Sequence, residues 1–238
     1  MTTLSDLRVK VFADGADLAG MIEMRANPLI RGFTTNPTLM RKSGVSDYRA
    51  FARAVLAAIP DRPISFEVLS DEFEVMHRQA VELAGWGANV FVKIPITDTQ
   101  GRSSADLLRR LAAEGIRVNV TAILTLEQVA VAAEAVSASP AAVISVFAGR
   151  IADTGRDPVP LMERALEILR PHLNTELLWA SPRELLNILQ ADEIGCHIIT
   201  ATTDILKKLD LVGKDLSEFS LETVQMFVRD AQLAGLEL

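Results

Sequence analysis

A lysine inside an apolar run of strand length is the residue of this sequence that most directly suggests chemistry. Lys93 lies in the middle of residues 89–97, which otherwise consist mostly of valine, isoleucine and phenylalanine. Burial disfavours the charged form of an amine, so we expect it to lower the pKa of this lysine. A neutral amine in a dry pocket is the nucleophile that forms a Schiff base with a carbonyl substrate. The alternative is an edge-strand lysine whose ammonium group reaches solvent.

Polar and charged side chains recur at the ends of the other apolar segments or on their predicted inward faces. They are Asp14, Thr34, Thr35, Asn36, Glu67, Asn119, Thr121, Ser145, Arg150, Ser181 and Arg183. The apolar neighbours of Glu67 favour a raised carboxyl pKa and acid–base use, although Glu67 could instead only form an ion pair with Lys93. Asp14 could likewise only cap a helix, and Asn36 could only shape a turn. Together the set predicts one nucleophile and two carboxyl groups around a common mouth.

Residues 181–184 have the pattern of a helix start, with serine at the cap, proline in the first position and glutamate in the third. Arg183 would then lie in the first turn, where exposed backbone amides favour an anion. Arg150 follows another predicted strand and could supply a second guanidinium group. We therefore expect a phosphate site here. The alternative is that these arginines only pair with Asp153 or Glu184.

Short apolar strands alternate with helical segments along the chain. The predicted strands are residues 7–13, 32–35, 64–69, 89–97, 116–120, 142–147, 176–180 and 196–201. No linker rich in proline, glycine and serine divides residues 1–238. The alternation predicts an α/β protein with a single (β/α)8 TIM barrel domain, and an open doubly wound sheet is the alternative.

Strand alternation predicts where Lys93 points. Phe91, Lys93 and Pro95 share one face of their strand, and the opposite face is wholly aliphatic. The aliphatic face fits the layer between barrel and helices. Lys93 is therefore expected to point into the barrel, where active sites lie at the carboxyl ends of the strands.

After the eighth strand the chain continues into an additional C-terminal helix at about residues 217–236. Leu221, Val224, Val228 and Ala231 recur there at helical spacing. Because the barrel is already complete, this apolar stripe must pack on the outside of the barrel or on a neighbouring subunit. We expect a subunit contact.

Composition restricts the class of protein. Apolar residues make up 49% and charged residues 23%, which is typical of a globular chain, and no apolar run is long enough to span a membrane. The first residues lack a secretory signal, and the single Cys196 fits a reducing compartment, so a cytoplasmic location is expected. A net charge of −7 argues against nucleic-acid binding. Three widely spaced histidines form no metal-site pattern.

Four ordered motifs resemble those of the transaldolase family. They are Gly32-Phe-Thr-Thr-Asn-Pro-Thr38, Val92-Lys-Ile-Pro95, Asn119-Val-Thr121 and Gly149-Arg-Ile151. The similarity covers nearly the whole chain, from residue 14 to residue 206, and the length resembles the small-subunit branch that includes the fructose-6-phosphate aldolases. The resemblance implies a barrel enzyme that transfers a dihydroxyacetone unit through a lysine Schiff base without a cofactor. It also implies pentamers or decamers.

The resemblance assigns a role to each matching position. Lys93 would form the Schiff base, and Glu67 and Thr121 would hold and activate a water molecule. Asp14 would take the proton of the donor's C4 hydroxyl group as the carbon–carbon bond breaks. The positions that would contact the sugar are Asn36, Thr34, Asn119, Ser145 and Phe147, and those that would contact its phosphate are Arg150, Ser181 and Arg183. The implied reaction converts sedoheptulose 7-phosphate and glyceraldehyde 3-phosphate into erythrose 4-phosphate and fructose 6-phosphate.

Two positions bear on transfer versus simple cleavage. The aldolase branch resembles a pattern with glutamine where this chain has Glu67, and with tyrosine where it has Phe147. A phenylalanine cannot donate the proton that releases free dihydroxyacetone, so we predict transfer to an aldehyde acceptor. The alternatives are a lyase that releases free dihydroxyacetone and a non-catalytic barrel that binds sugar phosphates.

The chain departs from the family pattern at three places, one of which is Asp14-Gly15, where the family more often has Asp-Thr or Asp-Ser. Ser145-Val-Phe147 stands where the family has Ser-Pro-Phe, and Ala180-Ser-Pro-Arg183 stands where it has Ala-Ser-Phe-Arg. Pro182 lacks an amide hydrogen, which removes one backbone donor to a phosphate. The departures concern the identity of the sugar and leave the Schiff-base residues unchanged.

Overall fold

The computed structural model describes residues 4–236, in which eight parallel strands form a closed barrel in sequence order. The strands are β1 (Lys10–Asp14), β2 (Ile30–Thr34), β3 (Ile64–Glu67), β4 (Val90–Pro95), β5 (Val118–Ile123), β6 (Ala142–Val146), β7 (Thr175–Trp179) and β8 (Ile198–Thr202). Because β8 pairs with β1, the sheet closes on itself. The predicted TIM barrel is confirmed, and the open sheet is excluded.

Helices surround the barrel. They are α1 (Leu18–Ala26), α2 (Pro37–Lys42), α3 (Tyr48–Ala58), α4 (Phe73–Ala84), α5 (Ala105–Ala113), α6 (Leu126–Ala135), α7 (Ala148–Ala152), α8 (Val159–Leu169), α9 (Leu186–Glu193), α10 (Thr203–Leu206) and α11 (Leu216–Leu233), with short 3-10 helices at Leu4–Asp6 and Leu209–Leu211. Leu108 of α5 and Met162 of α8 are buried in the same apolar layer as Ile94 and Ile144 of the strands. Removal of this apolar surface from water stabilises the barrel. None of the helices described in residues 4–236 has both the length and the apolar character needed to cross a membrane.

Helix α2 is absent from the sequence-based prediction. The Oδ1 atom of Asn36 accepts a hydrogen bond from the amide of Leu39 at 2.9 Å, which caps the helix. Pro37 follows at the start of the helix, where its missing amide hydrogen costs nothing. Asn36 therefore begins a helix, and the interpretation of residues 36 and 37 as only a turn is wrong.

The predicted helix start at Ser181 is also wrong. Helix α9 begins at Leu186, and Ser181 has a left-handed φ of 61°. The amides of Arg183 and Glu184 donate to Oδ1 of Asn187, at 2.8 and 3.2 Å. Because the Asn187 side chain already bonds these amides, Ser181 does not cap them, and Arg183 lies before the helix.

An apolar plug, defined as Phe12, Phe91, Val143, Leu178 and Ile198, fills the barrel interior. A Cβ atom at Gly32 would lie only 2.5 Å from the ring of Phe12, so this glycine provides the room that the ring occupies. Inward-facing positions alternate along a strand, so each plug residue is followed two positions later by the next inward-facing residue, as Phe12 is by Asp14 and Phe91 by Lys93. The plug therefore forms the apolar layer directly beneath the polar residues at the carboxyl end of the barrel.

Helix α11 does not bury its apolar stripe against the described part of the chain. None of its residues is buried, and Leu216, Leu221 and Phe227 are 80%, 58% and 62% exposed. Asp215 caps the helix by accepting hydrogen bonds from the amides of Ser217 and Glu218. Packing on the outside of its own barrel is thus excluded for this stripe, and a subunit contact stays a prediction.

Candidate active site

Lys93 points into the closed barrel, as strand alternation predicts. The residue is only 6% exposed, and its Nζ atom donates a hydrogen bond to the backbone oxygen of Thr35 at 2.9 Å. Nζ also lies 3.1 Å from Oε2 of Glu67. This burial excludes the alternative of an edge-strand lysine with its ammonium group in solvent.

Glu67 is directly opposite Lys93 in the register of β3 and β4, so the ion pair considered from the sequence is present. The hydroxyl group of Tyr48 donates to the backbone oxygen of Glu67 at 2.9 Å. The ring of Tyr48 meets those of Phe66 and Trp86 edge to face, with centroids 6.1 and 5.7 Å away. Tyr48 therefore fixes the backbone of Glu67, and Lys93 contacts its carboxyl group.

Asp14 ends β1 beside this pair. Its Oδ1 atom accepts a hydrogen bond from Thr34 Oγ1 at 2.7 Å, and Thr34 Oγ1 lies 2.6 Å from Thr200 Oγ1. Burial raises the pKa of the Asp14 carboxyl group; the charge of Lys93 and the Thr34 hydrogen bond oppose this effect, and the charge of Glu67 adds to it. The cap of α1 is instead Asp17, which leaves Asp14 free of the capping role considered from the sequence.

A chain of side-chain hydrogen bonds continues around the wall. Asn119 lies opposite Lys93 in the register of β4 and β5. Its Nδ2 atom donates to Ser65 Oγ at 3.0 Å, and its Oδ1 atom accepts from Ser145 Oγ at 2.7 Å. Asn119 is thereby held in one orientation toward the barrel interior.

Thr121 differs from these residues because its buried Oγ1 atom has no hydrogen-bond partner in the described chain. It precedes an irregularity in β5, where Ala122 adopts a left-handed φ of 62°. Ala122 and Ser181 are the non-glycine residues of positive φ in residues 4–236, and both lie at the carboxyl end of the barrel. Strained backbone of this kind clusters at functional sites. The free hydroxyl of Thr121 can bind a water molecule or a substrate.

The two arginines have different surroundings. Arg183 donates from Nε to Asp153 Oδ1 at 2.8 Å, from Nη2 to Asp153 Oδ2, and from Nη1 to the oxygen atoms of Ser181. These hydrogen bonds lower the pKa of Asp153. Arg150 is exposed and lies with its guanidinium carbon 5.5 Å from the ring centroid of Phe147. The Asp153 pairing considered from the sequence thus applies to Arg183.

Gly149 allows helix α7, which carries Arg150, to touch the loop after β7, which carries Arg183. A Cβ atom built on it would lie 1.6 Å from the backbone oxygen of Ser181. Any side chain would separate α7 from the loop after β7. Arg150 and Arg183 are consequently brought to one side of the mouth.

The predicted site residues fall into two groups at the carboxyl end of the barrel. The Lys93–Glu67 pair and the Asp14–Thr34 pair form one cluster, since the charges of Lys93 and Glu67 both act on Asp14, and Asn119 and Ser145 adjoin it. Arg150, Ser181 and Arg183 form a second group, with Arg150 on helix α7 after β6 and the other two residues on the loop after β7. An amine beside two carboxyl groups can form a covalent intermediate with a carbonyl and move protons around it.

Sequence reasoning missed three residues that support the cluster. Ser65 lies two positions before Glu67 on the same inward face of β3, and Thr200 lies on the inward face of β8. This period-two spacing was the signal available in the sequence. Tyr48 gave no such signal, because it reaches Glu67 from α3 across 19 positions of sequence.

Comparison with known proteins identifies the chain's relatives. Residues 11–237 match the Transaldolase/Fructose-6-phosphate aldolase family. A probable transaldolase of Thermoanaerobacter sp. (strain X514) is 36% identical over 97% of this chain and 100% of that protein. A probable transaldolase of Hyphomonas neptunium is 34% identical with the same coverage.

Solved structures share the fold at low identity. The 3-hexulose-6-phosphate synthase of Salmonella typhimurium superposes with a TM-score of 0.59 at 15% identity, over 84% of this chain and 91% of that chain. A truncated 3-deoxy-D-arabino-heptulosonate 7-phosphate synthase from Thermotoga maritima superposes with a TM-score of 0.54 at 14% identity, over 96% of this chain and 88% of that chain. These likenesses concern the barrel alone. From the family match and the curated relatives, the chain belongs to the transaldolase and fructose-6-phosphate aldolase family.

Proposed function

We propose that this protein is a transaldolase that moves a dihydroxyacetone unit between sugar phosphates through a Schiff base on Lys93. The observation that carries the proposal is the buried Nζ atom of Lys93, 3.1 Å from a Glu67 carboxylate oxygen inside a closed barrel. Asp14 supplies a second carboxyl group to the same cluster. Family membership supports the same class of reaction.

The first half of the proposed reaction forms the covalent intermediate. The unprotonated Nζ of Lys93 attacks C2 of the ketose, and a proton moves from Nζ to the former carbonyl oxygen to give a neutral carbinolamine. The hydroxyl group at C2 then leaves as water after protonation, which forms an iminium ion. Glu67 and Thr121 hold this water: the carboxylate can exchange a proton with it, and the unpartnered Thr121 hydroxyl can bind it.

The second half moves the three-carbon unit. Asp14 takes the proton of the C4 hydroxyl, the bond between C3 and C4 breaks, and its electron pair neutralises the iminium ion as an enamine. The C4 carbonyl so formed leaves as the aldose. The enamine carbon then attacks an acceptor aldehyde, and Asp14 returns its proton to the new alkoxide. Water finally hydrolyses the iminium ion and frees Lys93. A raised carboxyl pKa suits Asp14 to this exchange near neutral pH.

Neutral polar groups would bind the hydroxyl groups of the sugar. Asn119 is oriented by Ser65 and Ser145 and keeps a second amide hydrogen for the ligand. Asn36 uses Oδ1 for its helix cap, which leaves its amide nitrogen available as a donor. Thr34 lies between Asp14 and Thr200.

The phosphate group would bind beside the loops after β6 and β7. Arg150 is exposed, forms no ion pair with a carboxylate of the described chain, and would supply the positive charge for the phosphate. Arg183 is bonded to Asp153 and would mainly hold Ser181 in position. The proposed donor and acceptor are sedoheptulose 7-phosphate and glyceraldehyde 3-phosphate.

Borohydride reduction tests the Schiff base. Incubation with fructose 6-phosphate followed by borohydride should add a reduced three-carbon or sugar adduct to the Lys93 peptide, detected by mass spectrometry. The Lys10→Ala variant should label equally, because Lys10 lies on the exposed rim of β1. Absence of labelling with several ketose phosphates would favour a barrel that only binds sugar phosphates.

A second assay separates transfer from cleavage. With a ketose phosphate and no acceptor, free dihydroxyacetone should form far more slowly than the transfer product forms in the presence of glyceraldehyde 3-phosphate. The reason is that the Phe147 ring has no proton to give to the enamine. Equal rates would contradict this reasoning and favour the lyase.

Assembly is the last part of the proposal. The exposed apolar stripe of α11 would pack on a neighbouring copy of the single barrel domain, giving a homo-oligomer that the family resemblance makes a pentamer or decamer. Light scattering of the wild type and of a Val224→Glu, Phe227→Glu variant tests this idea. A monomeric wild type would contradict it.

A further inference from the structure

The amino-terminal end of the barrel, opposite the Lys93 cluster, holds a cavity of about 420 Å³. Phe12 and Phe91 of the apolar plug form part of its wall, and Lys10, Arg31 and Arg62 contribute positive charge. Pockets for small ligands usually have volumes of this order and combine an apolar wall with a few polar groups. None of the proposed catalytic steps uses this cavity.

Arg31 of β2 and Arg62, which lies just before β3, both line this cavity. Phe33 pairs with Ile64 in the register of β2 and β3, and the two arginines each lie two residues before this pair. Like charges at such positions repel each other. Two adjacent guanidinium groups are therefore an unfavourable arrangement unless an anion lies between them.

Neither arginine forms an ion pair with a carboxylate of the described chain, although the charge of Arg62 contributes to lowering the pKa of Asp61. No hydrogen bond or ion pair joins the side chain of Arg31 or Arg62 to another residue of positions 4–236, and the Nη1 atom of Arg62 is buried without a hydrogen-bond partner. A buried donor without a partner costs free energy, and such groups are rare.

The acidic residues of the cavity are already paired. Asp61 lies 3.1 Å from Nε of Arg25, and Glu176 lies 2.7 Å from Nζ of Lys10. Among the residues that line the cavity, the guanidinium charges of Arg31 and Arg62 consequently remain without an ion pair, in a protein whose net charge is −7. The excess positive charge is local, which is the condition for attracting a small anion.

We propose that this cavity is a second ligand site, which binds a small phosphate monoester between Arg31 and Arg62. A phosphate dianion matches two guanidinium forks in charge and in hydrogen-bond geometry. The carbon part of the ligand would contact the Phe12 and Phe91 rings. The site is independent of the Schiff-base proposal, because it involves neither Lys93 nor the loops after β6 and β7.

Calorimetric titration with sn-glycerol 3-phosphate tests the site. This probe has no carbonyl group and cannot react with Lys93. All titrations use the Arg150→Gln background, which weakens phosphate binding at the other end of the barrel. The Arg150→Gln protein should still bind sn-glycerol 3-phosphate. Adding Arg31→Gln or Arg62→Gln to this background should weaken that binding at least about tenfold. Arg53→Gln, an exposed arginine of α3, is the matched control and should bind like the background.

Several outcomes would overturn the proposal. They are no binding in the Arg150→Gln background, unchanged affinity in both Arg31→Gln and Arg62→Gln, and equal affinity for succinate, which would remove the assignment to phosphate. Thermal unfolding of each variant checks the fold. The Arg31 side chain is exposed, so Arg31→Gln keeps the test valid if Arg62→Gln is unstable.

Discussion

The barrel interior has two layers that both contain buried residues and are chemically opposite. Phe12 is 5% exposed and Lys93 is 6% exposed, yet one belongs to the apolar plug and the other to the polar cluster. The two layers alternate on the same strands, since Phe12 precedes Asp14 and Phe91 precedes Lys93 by two positions. Burial alone therefore does not reveal which layer can carry chemistry.

The two layers differ in how their burial changes the free energy of folding. The plug gains stability from leaving water, whereas the polar cluster must recover the lost hydration through internal partners. Lys93 recovers it through Glu67 and the Thr35 carbonyl. Asp14 recovers less, because burial remains the largest influence on its pKa. We infer that the polar layer is kept for reactivity and the plug for stability.

The sharpest test of this comparison is Lys93→Ala, which should abolish turnover while the fold survives. Removing the amine removes the only route to the proposed covalent intermediate. Steady-state assay and circular dichroism measure the two properties, with Lys10→Ala as a control that should keep full activity. Substantial turnover in Lys93→Ala would exclude Lys93 from its proposed role.

Asp14→Asn should reduce turnover by about 10²- to 10⁴-fold, the usual contribution of a general acid–base group. An amide cannot take the proton of the C4 hydroxyl group, although it can keep the Thr34 hydrogen bond. Borohydride labelling of Lys93 should persist, which separates bond cleavage from Schiff-base formation. The control Asp17→Asn alters only the cap of α1 and should leave turnover near the wild-type value.

Phe12→Ala should act in the opposite way, by lowering the free energy of unfolding. Truncation of a buried phenylalanine costs about 3–5 kcal/mol. Urea unfolding measures the loss, and Leu173→Ala, at a position 93% exposed, should change little. Any Phe12→Ala protein that remains folded should still form the borohydride adduct. A stable variant without labelling would show that the plug and the polar cluster are not separable.

The smallest expected effect is a pH-dependent gain in stability for Asp14→Asn. The pKa of Asp14 in the folded protein is raised above 3.8. The folded protein therefore holds this proton more tightly than the unfolded chain, and its stability falls as the pH rises from about 3.8 through the raised pKa. A neutral asparagine avoids this loss. The variant should therefore melt a few degrees higher at about pH 8, and the gap should close as the pH falls toward about 4. A gap that widens in acid would contradict the shift.

Much of this protein follows from local patterns in the sequence. Alternation of apolar strands and helices predicts the barrel, and period-two alternation predicts that Lys93 points inward. Both are properties of consecutive residues, which explains why they need no knowledge of distant contacts. The four motifs that mark the family are likewise local.

Tertiary structure alone decided which side chains meet. Closure of the barrel sets the register that brings Glu67 against Lys93 and Thr200 against Thr34. Competing partners also overruled the expected local signals: Asn187, a few residues further on, bonds the amides that Ser181 was expected to cap, and the distant Asp153 bonds Arg183. The contacts of Thr200 with Thr34 and of Asp153 with Arg183 depend on the relative positions of segments far apart in the chain, and spacing along the sequence does not encode those positions.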